Sequence, residues 1–279
     1  MAAGIGAPYP GFKGSVAQAL RPYPQYLNIP ENANPNGNST YHALQVKIEK
    51  RLGFGLSVLG SYTHAKTLSD GDIQAGGGPS GQTYYNRRLE KAVSTNDVPD
   101  VAAISYLYEL PFGPGRRYLN RKNVAGKVVG GWQLTGIQQY QAGRPIALTA
   151  NNTLPLFNGL LRPDAVAGVP KTLAVIDPLA DRWINPAAFT APAGLRFGTA
   201  AREYTDLRAQ GFANESFGLI KRTPLTERLT LTFRAEFFNV FNRVVFGAPA
   251  GNVSAANFGR VSSQANTPRQ GQLALRLDF

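Results

Sequence analysis

Along much of this chain apolar and polar residues alternate one by one, in blocks separated by Gly, Pro and Asn. The last ten residues show it most plainly. Leu273, Leu275, Leu277 and Phe279 fall at every second position, with Ala274, Arg276 and Asp278 between them. Strand side chains have a period of two, so this block presents one apolar face and one small or charged face. From residue 40, His42, Leu44, Val46 and Ile48 alternate with Ala43, Gln45, Lys47 and Glu49, which predicts a strand over 40–52. After a turn at Gly53, Phe54, Leu56, Val58, Gly60 and Tyr62 continue the alternation and complete a hairpin.

The pattern returns four more times. Residues 98–110 place Ile104, Tyr106, Tyr108 and Leu110 on one face, and Pro111-Phe112-Gly113-Pro114-Gly115 ends the run. A basic connection, 116–127, leads into a strand expected to run from 130 to about 149. Further strands are expected at 211–221 and 228–242; in the latter Leu229, Leu231, Phe233, Ala235 and Phe237 alternate with Thr230, Thr232, Arg234 and Glu236. Residues 1–39 are rich in Pro, Gly and Asn and read as loop, with at most a short strand near 25–29.

The connections alternate in length. They are short at Gly53, long at 67–97, intermediate at 111–129, long at 150–210, short at 223–227 and long at 243–268. A loop of sixty residues counts against a compact soluble domain. Antiparallel strands joined by turns on one side and long loops on the other are what a membrane-spanning barrel requires. The expected fold is therefore all-β: an antiparallel transmembrane β-barrel segment of about seven or eight strands over residues 40–279, with long extracellular loops. The 67–97 loop reads as polar and mobile. A soluble β-sandwich binding module alternates in the same way and stays open as an alternative.

Composition agrees with strands and turns. The chain holds 30 Gly, 20 Pro, 15 Phe, 12 Tyr and 2 Trp in 279 residues, and only 16% of it is charged. Without cysteine it can build neither a disulfide framework nor a thiolate site. No apolar run exceeds four residues, too short for a membrane helix of about 20. The start, M-A-A-G-I-G-A-P-Y-P-G-F-K-G, lacks the basic and apolar regions of an export signal. The net charge of +12 is dispersed along the strands rather than gathered on a helix, so nucleic acid is not an expected partner.

Candidate chemistry is sparse. His42 and His64 sit on adjacent strands, but a metal site needs three or four ligands. Asp70-Gly71-Asp72 lacks the further oxygens of a calcium loop. Asp177 and Asp181 lie in irregular sequence, and Ser80 after Pro79 is not a nucleophile elbow. No catalytic residue, cofactor or metal is assigned. In a barrel, Lys47, Glu49, Arg234, Glu236, Arg276 and Asp278 would face the lumen and either pair across neighbouring strands or contact a plug. Trp132, Tyr140, Phe238 and Phe241 are candidates for the aromatic girdles.

Several stretches resemble one family. Tyr41-His42-Ala43-Leu44-Gln45, Tyr108-Glu109-Leu110-Pro111-Phe112-Gly113, Gly130-Gly131-Trp132-Gln133-Leu134-Thr135-Gly136, Phe233-Arg234-Ala235-Glu236-Phe237-Phe238-Asn239-Val240-Phe241-Asn242 and Phe258-Gly259-Arg260-Val261 are similar to TonB-dependent outer-membrane receptors of the Oar-like group, whose members often carry a carboxypeptidase-regulatory-like domain. The R-A-E-F-F-N-V-F-N run is the most specific part, because a period of two does not dictate its second half.

The resemblance implies a 22-stranded plugged barrel in the bacterial outer membrane, of which this chain would be the C-terminal part. It implies that Leu273, Leu275, Leu277 and Phe279 form the ending read by the barrel-assembly machinery. It also implies outer-membrane lipid as surroundings, an extracellular ligand at the long loops, and the TonB complex acting through an N-terminal part that this sequence lacks. An adhesion barrel without active transport is the alternative within the membrane.

Overall fold

A computed structural model describes residues 4–27, 29, 37–71, 81–83, 85–157 and 159–279. Seven long strands dominate it: β1 Ser39–Gly53, β2 Leu56–Ser69, β3 Asp100–Glu109, β4 Trp132–Gln141, β5 Phe212–Pro224, β6 Thr230–Phe238 and β7 Gln270–Asp278. Consecutive strands pair antiparallel, in one open sheet of order β1 to β7. Their lengths of 9 to 15 residues suit strands that cross a bilayer at a tilt.

Among the described residues no second sheet covers the first. The only other sheet among the described residues pairs Asp164–Ala165 with Phe189–Thr190. The sandwich alternative needs two stacked sheets, so the single layer removes it. A single layer also explains the exposure: Leu44, Ile48, Leu273 and Leu275 are each more than 60% exposed.

The buried core lies in the connections instead. Ile146, Leu148, Ile184, Ala188, Phe189, Leu207 and Phe258 form one cluster, all of them from 142–211 and 239–269. Both connections leave the same end of the sheet, together with 70–99 and the N-terminal segment. The turns at Phe54-Gly55, at 110–131 and at 225–229, and the end of β7, lie at the other.

Several boundaries differ from the sequence expectation. β4 stops at Gln141 instead of near 149, because Ile146 and Leu148 join the loop core rather than the wall. β6 spans Thr230–Phe238 rather than 228–242. The expected strand near 25–29 is absent among the described residues of that stretch, and Asn28 lies outside them. Residues 16–19 instead make a short helix, α1 (Val16–Ala19), capped by the Ser15 hydroxyl accepting from the Gln18 amide at 3.2 Å.

The 67–97 loop is also corrected. Its start continues β2 to Ser69, and Ala92–Val93 adds a two-residue strand beside Leu68 and Ser69. Gln82, Glu90, Ser94 and Asp97 are buried. That half is packed protein rather than a mobile tip, because its polar groups find partners in the neighbouring loop. Asp72 and Ser80 lie outside the described residues.

Candidate functional site

The sheet has two chemically different faces, and the register fixes which residues share them. Directly opposed residues of an antiparallel pair lie on the same face. Leu273, Leu275 and Leu277 oppose Ala235, Phe233 and Leu231. Ala235 opposes Leu219, Leu219 opposes Leu134, Leu134 opposes Tyr108, and Tyr108 opposes Leu56. One nearly continuous apolar face thus runs from β7 to β2 and on to Ile48, Val46 and Leu44 of β1.

The other face carries Arg234, Glu236, Arg276 and Asp278 with Ser216, Thr135 and Ser105. A cavity of about 370 Å3 opens on it, lined from β2 through β6 by Leu59, Ser105, Ile137, Ser216 and Glu236 among others. In a barrel wall the apolar face is convex towards lipid and the polar face concave towards the lumen, and a hollow shared by five neighbouring strands on the polar face matches that curvature.

All six charged lumen candidates share this concave face, but their pairing differs from the cross-strand expectation. Arg276 lies 2.6 Å from Asp278 and Arg234 3.8 Å from Glu236, each two residues along its own strand. Across the strands Arg276 opposes Thr232, while Glu236 accepts from the Gln272 amide at 2.6 Å. Lys47 and Arg51 flank Glu49 at 3.1 Å in the same along-strand manner. The register puts none of these charges opposite one of the other sign.

Among the girdle candidates, Trp132 and Tyr140 stand on the convex face at opposite ends of β4, roughly 27 Å apart along the strand. Phe238 falls on the concave face and lines the cavity, because it follows Phe237 by one position. That excludes it from an outward girdle. Phe241 lies past β6, edge-on to Phe217 of the convex face at 6.3 Å. Leu273, Leu275 and Leu277 are exposed on the convex face, and Phe279 stands fully exposed beyond β7.

Where β6 ends, the chain turns through two asparagines in the left-handed region, Asn239 at φ 48° and Asn242 at φ 51°. Asparagine tolerates that region because its short side chain bonds locally. The buried Asn239 amide donates to the carbonyls of Arg243 (2.9 Å) and Thr267 (3.1 Å), and its oxygen accepts from the Arg243 amide (2.8 Å). Asn242 accepts from the Arg269 amide at 2.9 Å. This is the physical content of the F-N-V-F-N run.

The same turn delivers Arg243 to Glu215, a carboxylate only 2% exposed on the convex side, with Nε 2.9 Å from Oε2. Tyr140 donates to Oε1 at 3.1 Å. The carboxylate raises the guanidinium's pKa, so Arg243 stays charged. Sequence reading missed Glu215 and Arg243, since β5 gives no sign that a distant loop supplies the counter-charge.

Beyond the rim, buried charge joins two loops and hydrogen bonds to backbone carbonyls join a third. Arg162 pairs with Glu90 at 2.7 Å, both side chains 4% exposed, and the Arg162 amide donates to Gln82 Oε1 at 2.8 Å. Arg208 pairs with Asp97 at 2.5 Å, and Arg202 donates to the Ser69 carbonyl at 2.7 Å. The third loop joins through Trp183, whose amide donates to the Gly259 carbonyl at 2.7 Å, and through Arg182, which donates to the carbonyls of Phe258 and Ala256. The loops form one continuous layer at the end opposite the turns.

The weaker candidates resolve into local structure. His64 Nδ1 lies 2.9 Å from Asp100, and His42 opposes Lys66. Asp70 binds Arg87 at 2.7 Å, and this guanidinium holds its carboxyl below the usual carboxylate range. Asp181 accepts from the amides of Ile176 and Asp177 at 2.8 Å, which depresses its pKa, while Asp177 accepts from Leu179. These two carboxylates shape a turn rather than converge on a common point.

The convex apolar wall, the concave polar face and the segregation of turns from long loops all describe a membrane barrel. No curated protein matches the chain. The family profile described as an outer membrane beta barrel domain matches residues 5–272, nearly the whole length. The chain belongs to the outer membrane β-barrel domain family, and its place is the outer membrane.

Proposed function

We propose that this chain forms part of the wall of a TonB-dependent outer-membrane receptor of the Oar-like group, taking up an extracellular ligand. The observation that carries the reading is the composition of the concave face. Leu59, Leu107, Ile137 and Phe238 stand there among hydroxyl and charged side chains. A water-filled channel favours a polar lining throughout, whereas a lumen filled by packed polypeptide accepts such apolar patches.

Two further features support it. β1 and β7 leave unpaired edges among the described residues, and lipid does not tolerate an open edge. The seven strands are then one sector of a larger wall, closed by strands outside this sheet. The joined loop layer offers a preformed surface for ligand on the external side, as loops held on a rigid scaffold do. On this reading Leu273, Leu275, Leu277 and Phe279 engage the barrel-assembly machinery, and Trp132, Tyr140 and Phe241 sit at the lipid interfaces. The chain catalyses no reaction.

The test is retention of the native product, purified from outer membranes in detergent, on an immobilised periplasmic domain of TonB. A TonB-coupled receptor is retained. Passage in the flow-through, with the heat-modifiable barrel intact, overturns the reading and leaves a surface-binding barrel without active transport.

A further inference from the structure

The connection between β3 and β4 is unlike the other two turns at its end of the sheet. Residues 110–131 hold five cationic side chains and no acidic one. The turn at Phe54-Gly55 carries no charge, and 225–229 carries one of each sign. Within the connection lies α2 (Val124–Val129), a helix of six residues.

This connection is a built structure. The Asn123 side chain caps α2 by accepting from the Gly126 amide at 2.9 Å. A Cβ at Gly126 would meet the Arg121 carbonyl oxygen at 1.8 Å, and one at Gly113 would meet the Gly130 Cα at 2.4 Å. Its segments therefore pack at backbone contact.

Its position relative to the wall is fixed by two residues of the convex face. The Trp132 indole donates to the Val128 carbonyl at 3.0 Å. Lys221, which opposes Trp132, donates to the carbonyls of Lys127, Val128 and Gly130 at 2.9, 2.9 and 2.6 Å and lies 4.9 Å over the Trp132 ring. The C-terminal end of α2 is thus tied to the lipid-facing side of the wall rather than to the lumen. In an outer-membrane barrel the turn end is periplasmic, so this places α2 beside the inner leaflet.

The exposed groups fit that level. Val124 and Val128, one helical turn apart, are 79% and 60% exposed. Arg116 is paired with Glu109 at 2.8 Å. The other four cations, Arg117, Arg121, Lys122 and Lys127, are exposed and have no carboxylate partner among the described residues. Basic side chains around an apolar helix face make an interfacial lipid-binding surface.

We infer that the 110–131 connection is a docking surface for anionic phospholipid headgroups of the inner leaflet, with Val124 and Val128 entering the acyl boundary and the four unpaired cations binding phosphate. This rests on the outer-membrane placement alone and holds whether or not the barrel is coupled to TonB.

The test uses the native product, carrying a fluorophore on a single cysteine in place of Val124 and reconstituted in phosphatidylcholine vesicles. Nitroxide-headgroup phosphatidylglycerol or nitroxide-headgroup phosphatidylcholine is added at equal mole fraction. The expected result is quenching about threefold stronger by the anionic lipid, as local enrichment by several basic residues requires. The excess should fall at high salt and vanish in R117Q/R121Q/K122Q/K127Q, while the heat-modifiable barrel band persists. Equal quenching by both lipids, quenching by neither, or a preference that survives the fourfold substitution overturns the inference.

Discussion

Replacing Arg162 by Met should loosen the loop layer without disturbing the wall. Glu90 is the reason. Its carboxylate, 4% exposed, receives Arg162 Nη1 at 2.7 Å and the amides of Gln82 and Thr83 at 3.1 Å. Arg162 Nη2 also donates to the Leu89 carbonyl at 3.1 Å. Removing one partner of such a pair leaves an uncompensated buried charge, which costs about 3–5 kcal/mol. Because the pair joins 81–99 to 142–211 across 72 positions of sequence, that cost falls on the contact between two loops. Hydrogen exchange of the Gln82 and Thr83 amides in the native product reads it directly. If local opening governs exchange, both should speed up by about 10²-fold to 4 × 10³-fold. Arg162→Met combined with Glu90→Met should recover most of the loss, since no lone charge then remains. An effect below about tenfold, or a double variant worse than either single, would refute the reasoning.

Three further outcomes are expected. Leu231→Arg, on the convex face opposite Leu277, should destabilise the folded barrel by about 2–4 kcal/mol in lipid, measured by denaturant titration in vesicles; a neutral result would place that face in water. Asn239→Ala removes three hydrogen bonds and places alanine at φ 48°, costing about 2–4 kcal/mol, and protease cleavage between Asn242 and Arg269 reports it. Asp164 is held below the usual carboxylate range by Arg196, with a further contribution from the Thr199 amide. Its folded pKa is depressed, so the stability it contributes is full above the unfolded value of about 3.9 and is lost as pH falls through the folded value. Acid-induced opening of the 164–199 clip should therefore begin below about pH 4 and be absent in Asp164→Asn; equal acid sensitivity of the two proteins would refute the assignment.

The wall was legible in the sequence because its physics is local. A strand between lipid and lumen must alternate at every second residue, and a one-residue slip would turn Leu273, Leu275 and Leu277 inward. The seven long strands, the order of short and long connections and the apolar face were therefore written in the pattern itself. The same pattern misled at strand ends. β4 stops at Gln141 although apolar residues continue to about 149, because Ile146 and Leu148 belong to the loop core rather than to the wall.

The loop layer was decided only by tertiary structure. Glu90 finds Arg162, Asp97 finds Arg208, and Glu215 finds Arg243, over separations of 72, 111 and 28 residues that no period announces. Asn239 and Asn242 stood out in sequence as a run that alternation could not explain, and the structure supplies the left-handed turn they make. Curvature was equally hidden. Alternation assigns each side chain to one of two faces, but the hollow that five strands share on the polar face exists only in the folded sheet. Periodicity records what each residue meets above and below its own backbone; long-range charge pairing and sheet curvature depend on residues that meet only once the chain has folded.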